Sequence, residues 1–62
     1  MIRTTTFICQ LPTRTQDAIK ADVENYLKSE GFSGQKLQEA LQNALDGRLT
    51  DLEENIDISK YL

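Results

Sequence analysis

Few residues in this chain of 62 are of types that could do chemistry. Histidine is absent, which removes the side chain that most often moves protons near neutral pH. The single thiol, Cys9, therefore has no imidazole to activate it. It alternates with Phe7 and Leu11 along an apolar set, so it reads as a buried structural cysteine. One cysteine allows no internal disulfide, and one thiol without histidine cannot build the usual zinc cage. Glu53 and Glu54 are sequence neighbours, which on a helix point about 100° apart. They read as a solvated first turn favoured by the helix dipole, not as a converging acid pair. Asp46, Arg48 and Asp51 do not follow a calcium-loop pattern. Gly31, Gly34 and Gly47 read as helix punctuation and not as a phosphate-cradling loop. Tyr26 reads as core edge, and Tyr61 as an aromatic open to a partner. The chain is accordingly expected not to be an enzyme, with no cofactor, no metal and no evident small-molecule substrate.

The elements that would position these groups follow from composition and period. Residues 3–11 are rich in β-branched and aromatic types and predict a strand. Phe7, Cys9 and Leu11 fall on one face, with Thr4, Thr6, Ile8 and Gln10 on the other. Pro12, lacking an amide proton, ends the strand. Residues 14–30 predict a helix, with Thr13 as N-cap, Gln16 completing a capping box, and Ile19, Val23 and Leu27 along its inner face. Lys20 and Glu24 can pair across one turn of its outer face. Gly31 fits the left-handed closing position, and Phe32 can touch Leu27 in a Schellman motif. Phe32 can also staple to Leu37 ahead of a second helix at 34–46 that Ser33 caps. Leu37, Ala40, Leu41, Ala44 and Leu45 give that helix its stripe. Thr50 and Glu53 suggest a capping box for a short third helix at about 51–57, followed by an extended or frayed tail. The expected fold class is mainly α: a short N-terminal β-strand followed by two amphipathic helices and a short third one, in a single domain over 1–62.

Charge divides the chain. Residues 1–33 balance four cations against four anions, whereas residues 34–62 carry three cations and six anions, which is the whole net charge of −3. An acidic half opposes phosphate binding and disfavours nucleic acid as a partner. It suits a basic protein partner, or simply a solvated surface. No run approaches the roughly 18 apolar residues of a membrane span, so no membrane role is expected. The lone cysteine and the lack of an apolar leader predict a cytoplasmic setting.

The order strand, proline, helix, glycine turn, helix also describes ribbon-helix-helix DNA-binding proteins. Thr6-Phe7-Ile8-Cys9-Gln10-Leu11-Pro12 resembles the strand of that family, and Gly31-Phe32-Ser33 with the stripe from Leu37 to Leu45 resembles its turn and second helix. The resemblance implies a homodimer whose paired strands enter the major groove through Thr6, Ile8 and Gln10. It also implies a phosphate held at Ser33, Gly34 and Gln35. Ile8 departs from the pattern, because a polar side chain is expected where bases are read. The run from Thr6 through Lys28 is similar to short uncharacterised proteins encoded on conjugative elements of Gram-positive bacteria, which implies a mobile-element setting and no particular activity.

Two functional expectations result. The leading one is a non-catalytic protein-interaction module, an accessory protein of a mobile element, whose candidate partner surface is Ile58, Tyr61 and Leu62. The alternative is a ribbon-helix-helix repressor or antitoxin that binds DNA as a dimer. The strand separates them, because its backbone groups need partners either in a second copy or within the chain.

Overall fold

A computed structural model describes residues 2–62. Two α-helices, α1 (Thr13–Ser29) and α2 (Gly34–Leu45), form a hairpin. Three short 3-10 helices flank it and add to its core: Ile8–Gln10, Leu49–Leu52 and Ile58–Tyr61. The core takes Ile19, Val23 and Leu27 from α1, and Leu37 and Leu41 from α2. Ile8, Leu11, Leu49, Leu52 and Ile58 complete it from the flanking segments.

The hairpin corner is set locally. The Phe32 amide donates to the Leu27 carbonyl at 3.0 Å and the Gly31 amide to the Lys28 carbonyl at 3.1 Å, the two bonds of a Schellman closure. Gly31 has φ +95°, which a side chain would resist. The caps differ from expectation. Pro12, not Thr13, occupies the N-cap of α1, and Ser33 sits at the N-cap of α2 without a side-chain capping bond. Gln16 instead reaches back to donate to the Leu11 carbonyl at 2.7 Å, tying the entry segment to α1. On the outer face Glu24 pairs with Lys28 at 3.4 Å, not with Lys20.

The expected strand at 3–11 and third helix at 51–57 are not formed, which corrects the fold class to a two-helix hairpin with 3-10 flanks and no strand among the described residues. In the N-terminal segment the buried residues are Ile8 and Leu11, three apart, as a 3-10 turn requires. Phe7 and Cys9, placed inward by the strand period, are exposed. The backbone finds its partner in the chain's own 47–50 segment. Ile8 donates to the Gly47 carbonyl (3.1 Å), Leu49 to Thr6 (3.0 Å) and Thr50 to Thr4 (2.7 Å). One antiparallel bridge, Phe7 with Arg48, results. So short a partner edge cannot propagate a ladder, and the chain coils into a 3-10 turn once past it.

The third-helix region is divided by its own polar residues. The Asp51 carboxylate accepts from the Arg48 amide at 2.9 Å and starts a 3-10 turn, in place of the expected Thr50–Glu53 box. A Cβ at position 47 would lie 2.5 Å from that carboxylate, so the reach needs glycine there. Asp57 then caps a new turn, accepting from the Ser59 amide at 3.1 Å. Split into two turns, the chain seats Leu49 and Leu52 from the first and Ile58 from the second in the core, whereas a continuous helix would follow a different period.

Candidate functional site

Burial separates the residues expected to act together. Ile8, placed at the centre of the base-reading face, is 2% exposed and packs in the core. Thr6 is half-buried, with its carbonyl held by Leu49 and its hydroxyl accepting from the Arg3 amide. Gln10 is exposed just ahead of α1, and Ser33 and Gly34 are exposed beyond its far end. Thr6, Ile8 and Gln10 therefore form no outward ribbon face, and the ribbon-helix-helix arrangement is absent because its strand is absent.

The candidate partner surface is also redistributed. Ile58 is buried, Tyr61 is half-buried and only Leu62 is exposed, at 48%. The expected frayed tail is instead latched to α1. Asp22 accepts a hydrogen bond from the Tyr61 hydroxyl and an ion pair from Lys60 at 2.6 Å. The Lys60 ammonium also lies 5.5 Å from the Tyr61 ring centroid. The Lys60 bond, then the Tyr61 bond, hold the Asp22 carboxyl below its ordinary range. Burial, reinforced by Asp22, pushes the Tyr61 phenol up. Residues 39 apart make this contact, and no local pattern marks either of them.

The latch carries a pH dependence of definite sign. A depressed folded pKa means that the Asp22 contribution is present above its unfolded value, near 3.8, and is lost as pH falls through the lower folded value. Tyr61 runs the other way: the fold favours the neutral phenol, so stability is lost as pH rises beyond 10.0. Both partners of the ion pair are partly exposed, so the expected contribution is only on the order of 1 kcal/mol. Asp22→Asn should lower the melting temperature by about 4–8 °C at neutral pH. That gap should close in acid; a gap of constant size from neutral to acid pH would contradict the latch.

Two concavities among the described residues are places where a ligand could sit. One, of about 330 Å³, opens between the first 3-10 turn, α1 and α2, and is lined by Cys9, Gln16, Asp17, Lys20, Gln42 and Asp46 among others. Its charges are mixed, and the Cys9 thiol on its rim has no histidine anywhere in the chain to activate it. The other, of about 210 Å³, lies between the N-terminal turn and the last 3-10 helix. Ile56, Ile58 and Leu62 supply its apolar wall, and Glu53 and Asp57 its rim. Among the described residues, no group of three or more acidic or cysteine side chains is placed to hold a metal, and no helix is long and apolar enough to cross a membrane.

Comparison with family models, with curated proteins and with solved structures finds no match to this chain. The functional reading therefore rests on its own surface.

Proposed function

We propose that the chain is a non-catalytic protein-interaction module, an accessory protein of the mobile-element kind, that recognises a basic partner. The observation carrying this reading is the concentration of exposed anions after α2. Asp46, Asp51, Glu53, Glu54 and Asp57 are all exposed, against a single cation in the same stretch, Arg48. The Arg48 guanidinium is drawn aside onto the Phe7 ring, 4.6 Å from its centroid. Charge of one sign gathered on a short segment steers an oppositely charged partner and repels phosphate.

Capture on the immobilised chain from a host that carries it tests the reading. A partner should be retained at low salt, released as salt rises, and lost with the double variant Glu53→Lys/Glu54→Lys. Both positions are exposed, so the variant should keep the wild-type melting temperature. Retention that is indifferent to salt and to charge reversal would refute the proposal, as would the absence of any specific retention.

A further inference from the structure

Resting on that reading, we propose that the groove bounded by Ile56, Leu62, Glu53 and Asp57 is the docking point itself, and that its occupant is a basic segment of the partner carrying one aliphatic side chain between lysines or arginines. The groove combines the two kinds of surface such a segment needs. Its wall is apolar: Ile56 is half-buried, Ile58 is buried beneath, and Leu62 is 48% exposed. Its rim is anionic. Glu53 is exposed and takes part in neither ion pair found among the described residues. Hydrogen bonds from the Ser59 hydroxyl and amide hold the Asp57 carboxyl below its ordinary range, so it stays charged. Lys60, three residues beyond Asp57, makes its ion pair with Asp22, and its charge also favours the ionised Asp57 without pairing with it.

Size argues for a side chain and against a small molecule. A volume of about 210 Å³ falls below the roughly 300–1,000 Å³ of small-molecule pockets. It leaves room for one aliphatic side chain, with the flanking cations reaching the two carboxylates on the rim. The latch gives the groove its permanence. Lys60 and Tyr61, fixed on Asp22, hold the 3-10 turn that presents Ile58 and Leu62, so the wall exists before a partner arrives.

A binding titration tests this, with the isotope-labelled full chain observed by amide chemical shifts and a blocked Lys-Lys-Leu-Lys-Lys peptide as the probe. Shifts should concentrate at Glu53, Ile56, Asp57 and Leu62. Replacing the peptide's leucine by serine should weaken binding about fivefold or more, because aliphatic burial is lost. Glu53→Lys in the chain should weaken it about tenfold, and Leu62→Ser about threefold, with melting temperatures unchanged. Equal affinity for the serine peptide would mean that charge alone attracts the probe, and would overturn the groove. Shifts centred on Cys9, Lys20 and Gln42 would overturn it in favour of the other concavity. Should the capture experiment succeed while the peptide leaves the groove undisturbed, the interaction reading would stand and this inference would fall.

Discussion

Replacing Ile8 by alanine is expected to cost about 2–4 kcal/mol, while replacing its neighbour Cys9 by alanine should change stability by no more than about 0.5 kcal/mol. The first side chain is 2% exposed within the core and the second is exposed on the surface. A chain of 62 residues has roughly 3–9 kcal/mol of total stability to lose. Ile8→Ala should therefore remove a large share of that stability and move the urea midpoint well down, whereas Cys9→Ala should behave as wild type. Urea unfolding of the two variants side by side measures the contrast. The period-two strand makes the opposite claim, with Cys9 inward and Ile8 outward. A costly Cys9→Ala and a harmless Ile8→Ala would restore that strand and with it the ribbon.

Leu49→Ala should have an effect of similar or greater size, about 2–5 kcal/mol. Leu49 is fully buried, and it lies where the N-terminal segment meets residues 47–50. Its amide donates to Thr6, the following amide to Thr4, and the Ile8 amide returns to Gly47. The cavity left by truncation lies under these bonds, so the loss should spread along the backbone. Hydrogen exchange measures this directly. The amides of Ile8, Leu49 and Thr50 should lose protection together in Leu49→Ala, while the middle of α1 keeps more of its own. If the N-terminal amides stayed protected while Leu49 was truncated, the two segments would not be one cooperative unit. Leu62→Ala, by contrast, removes a side chain that is about half exposed and should cost far less.

Both variants probe contacts distant in sequence, whereas other parts of the fold are local. The turn at Gly31 was legible because everything that makes it lies within six residues: a glycine free to take positive φ, and amides that reach carbonyls of the preceding turn. The inner faces of α1 and α2 were legible for the same kind of reason, since Ile19, Val23 and Leu27, and Leu37 and Leu41, repeat at helical spacing. The caps are less legible. Thr13, Ser33 and Thr50 are good caps by type, but a hydroxyl caps only where the entering chain aims it at the amides, and here Gln16 and Asp51 tie the entries in another way.

The candidate site shows the same division. The exposure of the anions between Asp46 and Asp57 follows from composition, because unpaired carboxylates are expensive to bury. That Tyr61 faces Asp22, and that Ile58 is core while Leu62 is surface, has no counterpart in local pattern. The tail lacks a clean period and by that pattern should fray, yet one carboxylate on α1 accepts from both Lys60 and Tyr61 and holds it down.

What the sequence determined by itself was thus the helical hairpin, its corner, and the sign and placement of the surface charge. All of these arise from contacts within a few residues or from solvation alone. The tertiary structure decided the N-terminal segment and the tail. Residues 3–11 suit a pleated strand as well as a 3-10 turn, because β-branched side chains express whichever surface they are packed against. The deciding partner is the backbone of residues 47–50, some forty positions away, and its edge is too short to extend a ladder. With that edge in place, Ile8 turns inward and Cys9 outward, and the function that needed an exposed ribbon loses its surface.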